Sequence, residues 1–337
     1  MKYFKYISLA LVLSLFACED MFFEEEPKSD PESIFETVWQ TFRNDYGGFE
    51  SRNVDWQSQY DLYRPMVTAS TSDEELYDIL TEMVSVLGDG HVFLMAPNEQ
   101  MYSPNKHRHE LIDDELFDLK LIKEAYLEGK YTINGYEGNT FGKIGNIGYW
   151  HAAWVHANWL ETNNILEEFA DVDGLIIDLR HNGGGDFTYA FTEIGRLAEK
   201  ETLAYTSRTK NGTAPNDFTE WYEWSIYPDG EFYNKPIIAL IDKYTVSAGE
   251  RTVLGFQALP NITLMGDSTN GSIATMTGKE LANGWYFTLP IQEIRDFEGN
   301  DWEGPGIPPD IYSQNTSEQM SAGVDATLER AIEMLEL

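Results

Sequence analysis

The 337-residue chain is poor in several things, and each shortage excludes something. It has one cysteine, Cys18, so no internal disulfide can staple the fold. It has 23 lysines and arginines against 57 aspartates and glutamates, for a formal charge of −34. A surface so acidic repels a phosphate backbone, which excludes nucleic acid as a partner. The apolar stretch Ile7–Ala17 near the start is too short to span a bilayer. No internal repeat is visible. Hydrophobic residues make up 42% and aromatics 14%, enough for a sizeable core, so a disordered chain is excluded as well.

Lys2 and Lys5 precede the apolar stretch, giving it the form of a signal peptide over residues 1–17. It ends in Leu-Phe-Ala-Cys, which resembles the bacterial lipobox. That resemblance implies cleavage before Cys18, lipidation of Cys18, and attachment to a membrane of the bacterial cell envelope, periplasmic or surface-exposed. An ordinary cleaved signal beside an unrelated cysteine is the other reading. Residues 18–29 then form an acidic tether. Residues 30–96 read as an N-terminal helical region, 97–130 as a polar connecting segment, and 131–337 as an α/β core.

Asp30 and Pro31 sit where a helix cap and a first turn belong, ahead of Ile34, Val38, Trp39 and Phe42 at helical spacing. Residues 55–67 and 72–88 read as two more helices, the second opened by a Ser72/Glu75 capping box. From residue 131 the chain is strand-rich, with Asn-Gly and Gly-Asn turn signals between apolar runs. Then helices and apolar strands alternate. Helices are predicted over 158–172, 187–200 and 249–259, and strands over 174–180, 236–242 and 262–267. The alternation predicts an α/β layer with a mostly parallel sheet. Residues 324–335 close the chain as an amphipathic helix.

Two special turns follow buried strands. One is Asn-Gly-Gly-Gly (182–185) and the other is Tyr-Thr-Val-Ser-Ala-Gly-Glu (244–250). Ligands bind at this end of the strands in open α/β sheets. The glycines leave backbone N–H groups bare, suited to stabilising an oxyanion. A phosphate cradle is disfavoured: the P-loop lysine and Ser/Thr are missing, and Asp186 is acidic. Ser247 is either a helix cap or a nucleophile. Thr245 stands where an α/β-hydrolase elbow has its first glycine, so that elbow is not indicated. His107 and His109 have no spaced partner cluster, and residues 296–304 miss the EF-hand register, so no metal or other cofactor is expected. His181 either lines a cleft or sits exposed in a loop. Trp154, Trp159, Trp221, Trp224 and Tyr222 either line a peptide groove or pack in the core and its rim.

Further motifs complete an ordered set. Leu-Gly-Asp-Gly-His-Val-Phe-Leu (87–94) ends the helical lead-in. Ile-Ile-Asp-Leu-Arg-His-Asn-Gly-Gly-Gly (176–185) resembles D-L-R-x-N-x-G-G, and residues 244–250 resemble T-x-S-A-x-E. Met-Gly-Asp-Ser-Thr-Asn-Gly-Ser (265–272) resembles G-x-x-T-x-G, and residues 302–311 resemble E-x-x-G-x-x-P-D. From about residue 35 to 311 the chain therefore resembles peptidase family S41, the C-terminal processing and tricorn-type serine peptidases.

The resemblance implies a ClpP/crotonase-like core, a peptide or protein substrate and an acyl-enzyme. The processing branch has a lysine after the glycine of T-x-G; here that place holds Ser272, and the nearest lysine beyond it is Lys279. The tricorn-like branch has instead a histidine after the helices and a late glutamate, matched by His91 and Glu303. The implied roles are Ser247 as nucleophile, His91 as base and acid, and Glu303 as the carboxylate that orients the imidazole. Gly183 or Gly184, with Ala248, would form the oxyanion hole, and the helix dipole would favour the site. Glu250 either bonds within the site or complements the helix start. Two departures stand out. Gly90 occupies a place that carries serine in the tricorn-type pattern. Residues 97–130 are too few for the PDZ domain of many relatives. A non-catalytic peptide- or lipid-binding protein on the same fold is the alternative, and an esterase in the same site is a third reading.

Overall fold

The computed structural model describes residues 28–105 and 114–336. The expected signal peptide, Cys18, most of the tether, and His107 and His109 lie outside these residues.

Helix α1 (Pro31–Asp45) starts at Asp30, whose carboxylate accepts the Ser33 N–H at 3.1 Å. Helix α2 (Trp56–Tyr63) is capped in the same way by Asp55. Helix α3 (Asp73–Ser85) carries the Ser72/Glu75 capping box that its sequence predicts. The buried stripes of α1 and α3, including Phe35, Phe42, Leu76 and Leu80, share a core with Phe287 and Leu289 from far along the chain. Phe42 stacks on Phe287 with ring centroids 5.6 Å apart.

The strands and the remaining α-helices of five or more residues follow in order: β1 (Phe93–Met95), then, past a helical turn at Leu119–Leu121 that continues as a π-helix at Ile122–Tyr126, β2 (Tyr131–Asn134), β3 (Asn139–Ile144), β4 (Ile147–Ala152), α4 (Thr162–Glu168), β5 (Gly174–Asp178), α5 (Phe187–Glu193), β6 (Thr202–Thr209) and β7 (Tyr222–Ile226). Then come β8 (Ile237–Ile241), α6 (Ala248–Gln257), β9 (Ile262–Gly266), β10 (Met276–Glu280), β11 (Tyr286–Pro290), β12 (Gln292–Asp296), β13 (Ile311–Tyr312), α7 (Ser317–Ser321) and α8 (Ala326–Leu335).

A seven-stranded sheet runs β13-β9-β8-β5-β4-β3-β2. It is parallel from β13 to β4 and antiparallel from β4 to β2. Strands β5 and β8 are buried along their whole length, as their unbroken aliphatic runs require of central parallel strands. Alternate residues face opposite ways. Ile177 and Ala239 join a core with Trp150, Trp159 and Phe256, whereas Ile176 and Leu240 meet Tyr149 and Leu328.

Two smaller antiparallel sheets, β1-β11-β10 and β12-β6-β7, join the helices to this core. Neither sheet has a signature in the local sequence pattern. Two of the expected helices are also shorter than their pattern. The 158–172 segment begins as a 3-10 turn at Ala157–Glu161 and ends with α4 at Glu168, and the 187–200 segment tightens into a 3-10 turn at Ile194–Leu197. Gly195 lies in that turn pressed on residue 227: a Cβ there would sit 2.5 Å from the Tyr227 carbonyl oxygen.

Candidate active site

Strand β8 ends at Ile241 and α6 begins at Ala248, with Ser247 at the N-cap position. Its backbone has φ 60° and ψ −118°, a conformation that L-residues rarely adopt. Holding a non-glycine residue there costs about 1–3 kcal/mol, so the surroundings must enforce it. They do. The Ser247 N–H donates to Glu250 Oε2 at 3.0 Å and lies 3.1 Å from the Ser272 carbonyl, while the Ser247 carbonyl accepts the Arg251 N–H of the first helical turn. Although Thr245 replaces the elbow glycine, Ser247 occupies the same kind of sharp, strained strand-to-helix turn.

Glu250 does bond within this region. Its buried carboxylate accepts from Thr269 Oγ1 (2.7 Å) and from the N–H groups of Gly271 (2.6 Å), Ser272 (3.0 Å) and Ser247. Burial pushes the Glu250 carboxyl up to about 7, against these four donors, which favour the anion. One side chain thus ties the start of α6 to residues 269–272.

Residues 270–274 are the meeting point of the sequence-predicted groups. The Ser272 carbonyl takes the Ser247 N–H, and its Oγ takes the Gly90 N–H at 3.0 Å. A Cβ on Gly90 would stand 2.6 Å from that Oγ, so Ser272 fills the space that a side chain at residue 90 would need. Glu303 Oε2 accepts the N–H groups of Ile273 (3.0 Å) and Ala274 (3.1 Å). The His91 ring is buried against the same segment. Its Nδ1 has no hydrogen-bond partner among the described residues. Burial pushes the imidazole down to about 4; Asp89 and a hydrogen bond with the Ala274 backbone oppose the fall, and Arg251 and Arg52 add to it.

Glu303 does not touch the imidazole. Its Oε1 accepts from Arg52 Nη2 at 2.7 Å, and it reaches His91 through the Ala274 backbone and through Arg52 and Asp89, which accepts the His91 backbone N–H at 2.8 Å. Burial pushes the Glu303 carboxyl up to about 7, with Arg52 pulling it down and Asp89 and Glu250 pushing it further up. Arg52 is the centre of a network that the sequence reading missed. It also pairs with Asp89 at 3.1 Å and donates to the carbonyls of Gly88 and Gly271, while Tyr46 donates to Asp89 at 2.7 Å. Asp89 lies in the quoted 87–94 motif, which was the available signal; Arg52 has none in its local sequence. Arg251, one turn after Ser247, is a second missed group. It is buried and donates to the Ile273 carbonyl, Thr275 Oγ1 and Gln292 Oε1.

The glycine turn abuts Ser247. Gly184 has φ 79°, and a Cβ there would come within 2.8 Å of Ser247 Cβ. The Gly183 N–H donates to the Ala153 carbonyl at 3.0 Å, and the Gly184 N–H to Asn182 Oδ1 at 3.0 Å. Ala248 opens α6, where an N–H has no partner within the helix.

The other sequence candidates lie apart. His181 packs tilted against Tyr244 (ring centroids 4.1 Å) and Phe117 (5.0 Å), with Nε2 3.5 Å from Asp242. The aromatic residues do not form one groove: Trp159 is fully buried in the core, Trp224 packs against it, and Trp154, Trp221 and Tyr222 are exposed.

Fold and site define a class: α/β proteins with a mostly parallel central sheet and a strained serine at a strand-to-helix turn. The family model for peptidase family S41 matches residues 145–313, half of the chain, and the model for the tricorn protease C1 domain matches residues 27–85. The chain belongs to peptidase family S41. It is 27% identical to the nisin-resistance protein of Lactococcus lactis over 62% of this chain and 66% of that one. It is 29% identical to the tricorn protease of Thermoplasma volcanium over 57% of this chain but only 17% of that much longer protein. A crystal structure of a candidate peptidase from Parabacteroides merdae superposes with a TM-score of 0.83 at 29% identity, covering 91% of this chain and 97% of that one.

Proposed function

We propose that the protein is a serine peptidase that hydrolyses peptide bonds through an acyl-enzyme, with Ser247 as nucleophile. The observation that carries this reading is the strained Ser247 backbone at the start of α6, held by Glu250 and by the Ser272 carbonyl, two residues from the Ala274 backbone that the buried His91 imidazole meets with one nitrogen unpartnered among the described residues. Serine is a weak nucleophile and needs a base. A neutral His91 can take the Ser247 proton during attack and return it to the leaving amine. The Ala248 N–H would hold the oxyanion together with Gly184, whose present acceptor is only a side-chain amide; Gly183 is already spent on the Ala153 carbonyl. Glu303 fixes the imidazole through the Ala274 backbone that both groups contact, and its charge favours the imidazolium. Glu250 supports the site by clamping residues 269–272 to Ser247. Water then releases the acyl group by the same path in reverse.

Replacing the nucleophile gives the test. Ser247→Ala should abolish cleavage of a peptide library and labelling by serine-directed acylating probes, with the fold intact by circular dichroism. Cleavage that persists in this variant would refute the assignment. Ester substrates competing against peptides establish whether the site acts as an endopeptidase or as an esterase.

The Leu-Phe-Ala-Cys segment supports a second proposal: lipidation at Cys18 anchors the protein in the cell envelope. With Cys18→Ser, the protein should move from the membrane fraction to the soluble fraction. Unchanged fractionation would exclude the anchor.

A further inference from the structure

A cavity of about 530 Å³ lies between α1, α2 and the β12-β6-β7 sheet, and the chemistry proposed for Ser247 makes no use of it. Strand β12 stands between the cavity and Arg251 of α6, and at its edge the cavity's Asp301 accepts the Glu303 N–H. On one face of β12, Gln292 accepts from Arg251 of α6 at 2.6 Å. The next residue, Glu293, turns to the opposite face, where it lines the cavity and pairs with Arg208 and Arg295.

The walls of this cavity are charge-balanced in a strongly acidic chain, with four basic residues against Glu50, Asp55, Glu293 and Asp301. Arg43, Arg208, Lys210 and Arg295 line it, four of only 23 basic residues in a chain of formal charge −34. Arg208 stands 4.3 Å over the Phe218 ring and 4.8 Å over the Trp221 ring, and Lys210 stands 4.8 Å from Phe218. Such stacking fixes the cations in place while leaving N–H donors free. Acids are present too. Glu293 is shared between two guanidinium groups, Asp301 accepts from Ser51 at 2.6 Å, and Glu50 and Asp55 are exposed at the rim. Arg43 and Lys210 make no ion pair within 4 Å among the described residues; Asp217 and Asp45 act on Lys210 only at longer range, and it donates to the carbonyls of Ala214 and Pro215. Phe49 and Trp56 give the opposite wall an apolar face.

A bare inorganic anion would leave most of this volume unfilled, and a dense polyanion would meet Glu293 and Asp301. A peptide carrying both acidic and aromatic side chains matches the cations and the ring faces together. We propose that the cavity is a second binding site, distinct from the Ser247 site, that takes an acidic, aromatic-bearing peptide segment.

Fluorescence anisotropy tests this with a labelled hexapeptide alternating glutamate and phenylalanine. The receptor is the full chain carrying Ser247→Ala, so that binding is read without cleavage and independently of the peptidase proposal. Saturable binding is expected, weakened at least tenfold by the double reversal Arg43→Glu with Lys210→Glu and unaffected by Lys120→Glu on the remote surface. If the double variant fails to fold, Lys210→Gln alone should weaken binding at least threefold. Equal binding of a glutamine-for-glutamate peptide, indifference to the changes at Arg43 and Lys210, or equally strong displacement by ATP or inorganic phosphate would each overturn the proposal.

Discussion

His91 combines two properties that pull on the same proton. Its ring is buried with an unpartnered Nδ1, and burial lowers its pKa from the usual 6.5 to about 4. Between these values the unfolded chain binds a proton that the folded chain refuses, so this histidine's contribution to stability is full above pH 6.5 and is lost as pH falls toward 4. In the proposed mechanism the neutral imidazole is the base, so the same shift would set the acid limb of the reaction. The kcat/KM profile for a peptide substrate should fall in part through about pH 7, as Glu303 takes up its proton, and vanish only with a midpoint near 4, and His91→Gln should lose all activity. Complete loss of activity centred near 6.5 would mean that the base is not this buried imidazole. Glu250 and Glu303 have the opposite sign: their carboxyls are raised to about 7, so what they add through protonation is present below 4.5 and is lost as pH rises through 7.

At the scale of elements, Arg52 is the joint. It sits between α1 and α2, yet it binds the turn after α3 through Asp89 and Gly88, the 270–274 segment through Gly271, and the segment after β12 through Glu303. All three charges are buried, with side chains 7% exposed or less. Removing the arginine strands two carboxylates in a low-dielectric interior, a change that costs about 3–5 kcal/mol. Arg52→Ala should therefore lower the unfolding free energy by that order in a urea titration. Arg64→Ala is the control. Arg64 pairs with Glu32 and Glu36 at the surface, and such pairs are worth about 0–1 kcal/mol. Equal effects from the two variants would show that Arg52 is not a buried joint.

The same residue marks the limit of what the sequence makes legible. The helix caps Asp30 and Ser72, the aliphatic strands β5 and β8 and the turn before α6 all advertise themselves locally, because caps and buried strands have compositional signatures. Strands β10 and β12 do not. Met-Thr-Gly-Lys-Glu and Gln-Glu-Ile-Arg-Asp pair at their backbones but bury few apolar side chains, so they leave no hydrophobic period to read. Ser247, His91 and Glu303 are legible as motif positions, and all three converge on residues 270–274. That Glu303 meets Arg52 rather than the imidazole is a tertiary fact, set by a residue 251 positions away, and no local pattern encodes it.

For the whole molecule the governing quantity is the charge of −34. Like charges on one compact surface repel, and folding brings them closer than they lie in the extended chain. Salt weakens such exposed interactions, since the Debye length shrinks to about 10 Å at 0.1 M and about 3 Å at 1 M. The attractive pairs are less affected. Arg52 with Asp89 and Glu303, and Arg180 with Asp178 and Asp325, are buried, and buried pairs are screened much less. Repulsion is therefore the term that salt removes. Raising NaCl from about 10 mM to about 0.5 M should move the urea midpoint upward with little change in the m-value, because the surface exposed on unfolding stays the same. Choline chloride should reproduce the rise, since screening depends on ionic strength and not on sodium occupying a site. A falling midpoint would show instead that exposed ion pairs outweigh self-repulsion, and a rise confined to sodium would point to a bound cation.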